Sequence, residues 1–320
     1  MTTPLQLDVA GLTAGYGEPG GGPAVLDGVD FTLPAGRRLA VVGQSGCGKS
    51  TLLHVVAGLL SPWRGRVEVD GEVVEAPSGR GSGASRGSGH AAYMFQQDLL
   101  LPWKTALGNA VFAAGVARGP GGEAGSGRRG HAKPDVAAVE ARARTILAEF
   151  GLGDVLDALP RDLSGGMRQR VALARTLVLG RGLVLLDEPF GSLDALTRAD
   201  MRRWLLDAMQ EHPATWVLVT HDVHEAVLLG DTVAVLRGRP ARLEGWYEVP
   251  LSDAQRRALA RAEAGEVDEA AAAAASATES AQRADADEAR LAAVDAQSAA
   301  DVVRALSVRI LGLLMARDAA

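Results

Sequence analysis

The chain has 320 residues, 47% of them hydrophobic and 22% charged, a composition that predicts a sizeable folded core and excludes wholesale disorder. Its net charge of −6 and aromatic content of 4% argue against a dedicated nucleic-acid binder, which needs a basic footprint and stacking side chains. One cysteine excludes a disulfide framework and a four-cysteine zinc site. Because the sequence contains neither a signal-peptide pattern nor a run of 18 uncharged apolar residues, we expect a cytoplasmic protein without a membrane span of its own.

Apolar strands and helical segments alternate along the first 250 residues. Strands are predicted at 38–42, 183–186 and 216–219, and helices at 49–60, 136–150, 165–179, 198–211 and 224–229. Continuous apolar strands between helices indicate a parallel sheet that helices cover on both faces. The segment 99–162 is mainly helical in pattern and is predicted to form a subdomain inserted before the later strands. The sequence therefore predicts an α/β fold.

Three glycine-rich segments and the C-terminal region differ from this pattern. Residues 17–23, 77–90 and 119–130 are predicted to be solvated loops. Residues 261–300 contain eighteen alanines and nine acidic residues against three arginines, which favours a flexible or partly helical spacer over 251–300 whose deletion would shift melting little. Beyond it, the helical spacing of Val303, Leu306, Ile310 and Leu313 predicts an amphipathic helix at 301–320 that docks on the body.

The strongest motif is the sequence G-x-x-x-x-G-K-S, which follows the first predicted strand and opens a helix, as a phosphate-binding P-loop does. Its glycines let backbone N–H groups surround phosphate oxygens, Lys49 supplies a positive charge to the β- and γ-phosphates, and Ser50 offers a hydroxyl to Mg²⁺. The chain has only three lysines, so a chance match is improbable. The predicted nucleotide-binding residues are Gly43, Gln44, Ser45, Gly46, Cys47, Gly48, Lys49, Ser50 and Thr51.

Two carboxylates end the apolar strand at 183–186. At the carboxyl edge of a parallel sheet they would lie beside a phosphate site. Asp187 suits contact with Mg²⁺, whereas Glu188 is predicted to orient or deprotonate the attacking water.

A second anion-binding pattern lies at Ser164, Gly165 and Gly166, which open a predicted helix. The simpler alternative is that Ser164 is an ordinary N-cap. One active site has no use for two anion cradles, whereas a symmetric dimer can close the second cradle over its partner's γ-phosphate.

In this order, the three motifs resemble the ATP-binding subunit of an ABC transporter. The resemblance implies a P-loop NTPase core with a mostly parallel sheet, a small antiparallel β-region and an inserted helical subdomain, from about residue 5 to residue 250. It further implies a homodimer that hydrolyses ATP with Mg²⁺, sits at the cytoplasmic face of the membrane and drives transmembrane permease subunits. A solute-binding protein would act with it indirectly.

Further residues match the family's motifs and take their roles only from that resemblance. Tyr16 resembles the aromatic residue that stacks on adenine, and Gln96 resembles the glutamine that contacts Mg²⁺ and the water. His221 resembles the switch histidine at the γ-phosphate, and residues 192–194 resemble the loop that crosses the dimer interface.

The segment 95–105 is similar to importer subunits of the nitrate, sulfonate and taurine group, which has relatives for thiamine precursors. Within it, Trp103 is predicted to anchor the permease interface, with packing in the core as the alternative. A soluble ABC-type ATPase acting on nucleic acid or ribosomes remains the alternative function, and a nucleotide-binding regulator without hydrolysis is a third. Neither the solute nor the permease can be named from this sequence.

Cys47 allows a prediction of its own. A thiol near a helix N-terminus has a lowered pKa, which predicts a reactive group that labels more slowly when MgATP is bound. The alternative is that Cys47 points into the packing between helix and sheet and is inert.

Overall fold

The computed structural model of the chain describes residues 2–19, 21–74, 90–116, 136–191, 193–264 and 281–315. Four expectations from the sequence lie outside these ranges wholly or in large part. They are the glycine-rich loops at 77–90 and 119–130, Ser192, and the part of the predicted spacer at 265–280.

The described strands form a single ten-stranded sheet. They are β1 (Leu7–Ala14), β2 (Leu26–Leu33), β3 (Arg38–Gly43), β4 (Arg64–Val69), β5 (Glu72–Val73), β6 (Ala91–Met94), β7 (Leu183–Asp187), β8 (Thr215–Thr220), β9 (Thr232–Gly238) and β10 (Ala241–Glu248). Their order is β5-β4-β1-β2-β10-β9-β3-β8-β7-β6. From β9 to β6 all neighbours are parallel, whereas β5, β4, β1 and β2 pair antiparallel. The predicted fold class is confirmed.

The central strands are apolar throughout because both of their faces are buried. In β3, Ala40 and Val42 belong to one hydrophobic cluster and Leu39 and Val41 to the other, on the opposite face of the sheet. Successive side chains of a strand point to opposite faces of the sheet. In a strand that is covered on both faces, every position is therefore buried and favours an apolar side chain.

Helices lie in the connections between the strands and also follow the last strand, β10. They are α1 (Lys49–Val56), α2 (Ala106–Val116), α3 (Val136–Glu149), α4 (Gly165–Val178), α5 (Ala195–Glu211), α6 (Val223–Leu229), α7 (Asp253–Glu263) and α8 (Ala281–Met315). The predicted strands and helices of the core are confirmed to within a few residues. Among the residues that the structure describes, none of the helices has both the length and the apolar composition needed to cross a bilayer.

The inserted subdomain consists of α2 and α3, followed by short 3-10 turns at Gly153–Val155 and Pro160–Asp162. Both helices pack against α4. Ile146, Leu147 and Phe150, at and just after the end of α3, are buried in the same cluster as the core helices. The helical character predicted for 99–162 is therefore present, and the subdomain is held to the sheet through α4.

The C-terminal region differs from its prediction, because ordered structure continues beyond residue 251. Ser252 and Gln255 form a reciprocal capping box at the start of α7, and Arg256 is fully buried. A helix that docks through an arginine carries little apolar signal, which explains why composition predicted a spacer here.

The last helix also begins earlier than predicted. α8 starts at residue 281 rather than at 301 and continues to 315. Its predicted apolar face does pack on the body, since Val303 and Ile310 are buried and Leu306 and Leu313 are partly buried against the core cluster.

Candidate nucleotide-binding site

Four neighbouring parallel strands bring the predicted site residues to one edge of the sheet. In the sheet, β6, β7, β8 and β3 lie side by side. Their carboxyl ends are aligned, with Met94 opposite Leu186, Asp187 opposite Val219 and Thr220 opposite Val42. The residues that follow these ends therefore meet, as ligand-binding residues do in parallel α/β sheets.

The P-loop is held in a conformation that requires glycine. Gly48, the N-cap of α1, has φ 113°, and a Cβ atom there would lie 2.8 Å from the side chain of Val25. Lys49 is buried, and its Nζ donates hydrogen bonds to the carbonyl oxygens of Gly43 at 2.9 Å and Gln44 at 3.2 Å. The ammonium group thus lies inside the loop and is available to a phosphate that displaces these carbonyls.

Asp187 is the buried carboxylate of the site. Ser50 Oγ donates to its Oδ1 at 3.0 Å, and the Tyr93 hydroxyl donates to its Oδ2 at 3.0 Å. Burial raises the pKa of Asp187, while these two hydrogen bonds oppose that rise. Burial and the neighbouring Asp187 charge raise the pKa of Tyr93, so the phenol stays protonated and remains a donor. Tyr93 was missed by the sequence reasoning, because its only signal is its place three residues before Gln96.

Glu188 is the point at which the predicted catalytic side chains converge. Gln96 Nε2 donates to its Oε2 at 3.2 Å, and His221 Nδ1 lies 3.3 Å from the same oxygen. Lys49 Nζ is 3.9 Å from Oε1. The backbone of Glu188 has φ 44°, a left-handed conformation that is costly for a side-chain-bearing residue and that clusters at functional sites. The structure therefore brings Gln96, Glu188 and His221 together with the P-loop lysine.

Tyr16 lies at the rim of the same site. Its hydroxyl is 3.3 Å from Oγ1 of Thr51 in the P-loop helix, and its side chain is 60% exposed. An exposed aromatic ring tethered by its hydroxyl offers a free face for stacking.

The second predicted cradle, at Ser164, is placed differently. The Ser164 side chain caps α4 by accepting from the backbone N–H of Met167, as the N-cap alternative proposed. A Cβ atom on Gly166 would lie 2.5 Å from Thr197 in α5, and Arg168 is paired with Asp98 at 3.1 Å. These contacts connect the cradle with α5 and with the segment after Gln96. The contacts of Lys49 within the described residues are instead with Gly43, Gln44 and Glu188.

Comparison with known proteins places this geometry in a family. Residues 26–191 match the family model described as ABC transporter. The chain belongs to this family. As an ABC ATPase it binds and hydrolyses ATP, which confirms the predicted activity and nucleotide.

Curated relatives and solved structures agree with this assignment. The aliphatic sulfonates import ATP-binding protein SsuB 2 of Agrobacterium fabrum is 42% identical over 72% of this chain and 75% of its own. The taurine import ATP-binding protein TauB of Pseudomonas aeruginosa is 38% identical over 74% of this chain and 81% of its own. A dimeric structure of MJ0796, a bacterial ABC transporter cassette, superposes with a TM-score of 0.59 at 26% identity, over 76% of this chain and 98% of that one.

The thiol of this ABC ATPase contradicts the expectation of a reactive cysteine. Cys47 is 5% exposed and belongs to a hydrophobic cluster of the core. Burial raises its pKa, and the nearby Lys49 charge opposes this only in part. The sequence argument considered the helix N-terminus but could not show that the side chain points inward.

We therefore expect a maleimide reagent to label Cys47 of the folded ABC ATPase slowly, and at the same rate with and without saturating MgATP. The buried, protonated thiol is a poor nucleophile, and in guanidinium chloride one label per chain should be incorporated rapidly. Mass spectrometry over a time course measures both rates. Rapid labelling of the native protein that MgATP suppresses would contradict the inward placement.

Trp103 is a surface residue of this ABC ATPase, not a core residue. Its side chain is 72% exposed. The loop that carries it is fixed by the fully buried Asn109, whose amide donates to the carbonyl oxygens of Leu101, Lys104 and Thr105 at 2.9–3.2 Å and whose Oδ1 accepts from Leu101 N at 2.7 Å. A rigid loop that presents an exposed tryptophan fits an interface. Asn109 was another residue that sequence reasoning missed.

Proposed function

We propose that this ABC ATPase powers an importer for small solutes of the nitrate, sulfonate and taurine group or for thiamine precursors, with sulfonates and taurine favoured by the relatives. The observation that carries the proposal is the convergence of Gln96, His221 and Lys49 on the carboxylate of Glu188. This arrangement supports hydrolysis rather than nucleotide storage. The similarity to import subunits and the acidic chain favour transport over action on nucleic acid or ribosomes.

ATP binding is assigned to Tyr16 and the P-loop. The exposed ring of Tyr16 stacks on adenine, and the backbone of residues 43–51 surrounds the phosphates. Lys49 exchanges its two carbonyl acceptors for β- and γ-phosphate oxygens. The attraction is stronger there, because hydrogen bonds between charged groups exceed those to a carbonyl.

The side chains of Ser50 and Asp187 fit a magnesium ion. They present a hydroxyl and a carboxylate oxygen 3.0 Å apart, and Mg²⁺ prefers such oxygen donors. When bound, Mg²⁺ neutralises charge on the phosphate oxygens. Asp187 is held in place by Tyr93, and Gln96, which lies two residues after the end of β6, is the third proposed ligand.

Glu188 is the general base in this proposal. It accepts a proton from the water as the water oxygen forms its bond to the γ-phosphorus, while the bond to the β–γ bridging oxygen breaks and ADP leaves. Gln96 and His221, both within 3.3 Å of the Glu188 carboxylate, fix its direction. His221 is half-exposed and can reach the γ-phosphate when the site closes.

A second copy of the chain completes the site. Ser164, Gly165 and Gly166 form a capped helix N-terminus, and the backbone N–H groups at such an end suit an anion. In a two-fold dimer each cradle covers the γ-phosphate bound by its partner. The dimeric structure of the related cassette supports this arrangement.

The permease is the proposed membrane partner. The exposed Trp103 and its rigid loop lie seven residues after Gln96 in the sequence. An interface at this loop is therefore linked by a short stretch of chain to the residue that is proposed to sense the nucleotide. The ATPase would thus be peripheral at the cytoplasmic face, with the solute-binding protein acting only through the permease.

Transport reconstitution tests the proposal. The chain is co-expressed with candidate permease subunits, and the complex is placed in proteoliposomes with ATP on the ATPase side. Uptake of taurine or an alkanesulfonate, delivered by the cognate binding protein, should require ATP and be lost in the Glu188→Gln variant. If the chain instead hydrolyses ATP only with nucleic acid or ribosomes, the importer assignment is wrong.

We expect Trp103→Ala to reduce uptake in this system at least tenfold while the isolated subunit retains its ATPase activity. Buried tryptophan anchors commonly contribute 2 kcal/mol or more, about a thirtyfold effect on association. Leu59→Ala is the matched control, because Leu59 is another exposed apolar side chain, 54% exposed, outside this loop. Equal uptake by Trp103→Ala and Leu59→Ala would place the permease elsewhere.

A further inference from the structure

A groove of about 610 Å³ lies between α6, α7 and α8 and reaches His221. Its volume is within the range of small-molecule sites. Part of its wall is apolar, formed by Leu259 of α7 and by Val303 and Leu311 of α8. Its lining includes His221 but none of the P-loop residues 43–51.

The acidic groups of the groove are already neutralised within the protein. Glu263 lies 2.7 Å from His224 Nε2 and 3.0 Å from Arg202. The hydrogen bond to Glu263 raises the pKa of His224, which favours a positive charge on that ring. Asp222 accepts the backbone N–H groups of residues 224 and 225 as the N-cap of α6, where the helix dipole also favours its charge.

Two polar groups of α8 have capacity left for a ligand. Ser307 Oγ is buried and has no hydrogen-bond partner among the residues that the structure describes. Among the described side chains, Arg304, one turn earlier, has a 3.8 Å pair with Asp301 as its ion pair, and both side chains are largely exposed. Such an exposed pair contributes little, so the guanidinium is free to turn toward an incoming anion.

We propose that the groove is a binding site for a small anion that carries an alkyl chain. The anionic head pairs with Arg304 and accepts a hydrogen bond from Ser307. The alkyl chain covers Leu259, Val303 and Leu311. A cationic ligand is disfavoured because the carboxylates of the groove already have cationic or backbone partners.

Occupancy of the groove would affect the ATP site, an effect that rests on the proposed function. The ligand bridges α8 to α7 and fills the groove beside Val223 and His224, the first residues of α6, which begins directly after His221 and Asp222. At its other end α8 reaches the P-loop, where Gln44 Nε2 donates to the carbonyl oxygen of Leu314 at 3.4 Å. A bridged α8 restrains both His221 and Gln44, so the ligand should lower the rate of ATP hydrolysis.

Calorimetric titration of the nucleotide-free full chain tests binding, with 1-octanesulfonate and octanoate as anionic probes and 1-octanol as the uncharged one. We expect both anions to bind at one site, and octanol at least tenfold more weakly, because a hydrogen bond with a charged group contributes about 1.5–3 kcal/mol. Arg304→Glu should weaken anion binding at least tenfold and leave octanol binding unchanged. Ser307→Ala should weaken the binding of both anions several-fold.

The matched control is Arg144→Glu, because Arg144 is likewise an exposed arginine paired with an acidic residue on its own helix. It should bind the probes as the wild type does. Equal affinity for octanol and octanesulfonate, or undetectable binding of both anions, overturns the proposal. If octanesulfonate inhibits ATP hydrolysis in the wild type and Arg304→Glu abolishes this inhibition, the regulatory effect is supported. The binding result does not depend on ATPase activity, so it would stand even if the chain did not hydrolyse ATP.

Discussion

Replacing Glu188 with glutamine is expected to slow ATP hydrolysis about 10²–10⁴-fold, the usual effect of losing a general base. Glutamine keeps the volume of the side chain, so the left-handed backbone at this position and the contacts with Gln96 and His221 can persist. The amide cannot accept the proton from water. Steady-state phosphate release measures the rate, and hydrolysis close to that of the wild type would exclude Glu188 as the base.

The same variant should bind MgATP and remain dimeric with it. The proposed contacts of Lys49 and of the Ser164 cradle with the phosphates do not involve Glu188 and should persist, and the step that would release the dimer is blocked. Light scattering after gel filtration, with ATP in the buffer, reports the mass. Lys49→Ala is the control that separates binding from chemistry, because it should lose nucleotide affinity and stay monomeric. A monomeric Glu188→Gln chain at saturating MgATP would contradict the dimeric site.

Residues that act through the backbone or at strand ends were predictable from the sequence. The P-loop requires glycines at fixed positions because its backbone adopts left-handed conformations there. The amino-acid sequence of residues 43–50 shows these glycines directly. Glu188 follows an apolar strand, and the parallel sheet then determines which other strand ends it meets. The local sequence and the sheet topology therefore predicted the placement of Glu188, whereas Gln96 and His221 were predicted from the resemblance to the family's motifs.

Residues that act through the direction of a side chain were not predictable. Tyr93 holds Asp187 by a hydrogen bond across 94 residues of sequence. Asn109 holds the Trp103 loop by hydrogen bonds to residues up to 8 positions away. No spacing rule identifies such partners. Cys47 was misjudged for the same reason, since only the packing shows that its thiol points inward.

The helix α7 shows how a charged residue can replace the apolar signal of a docking helix. Arg256 is 0% exposed, and its Nη1 donates to the carbonyl oxygens of Val227 at 3.1 Å and Leu228 at 2.6 Å. These carbonyls belong to the last turn of α6, which has no donors of its own for them. Arg256 also lies 3.5 Å from Asp231. Although burial lowers the pKa of Arg256 to about 10, it remains charged at neutral pH and caps the negative end of α6.

We expect Arg256→Ala to lower the free energy of unfolding by about 3 kcal/mol, the lower end for breaking a buried ion pair, because Asp231 keeps Arg38 as a partner. For a chain of 320 residues, with an unfolding entropy of about 2.1 cal/mol/K per residue, that corresponds to a fall in Tm of about 4–5 °C. Arg261→Ala is the control, because Arg261 lies on the same helix but is exposed, and it should change Tm little. Differential scanning calorimetry compares the two arginine variants.

Deleting 252–300, which composition alone predicts to be harmless, should destabilise the chain at least as much as Arg256→Ala, since it removes the same cap together with the helix that supplies it. Equal melting of the two arginine variants would show that α7 rests on the surface as a spacer.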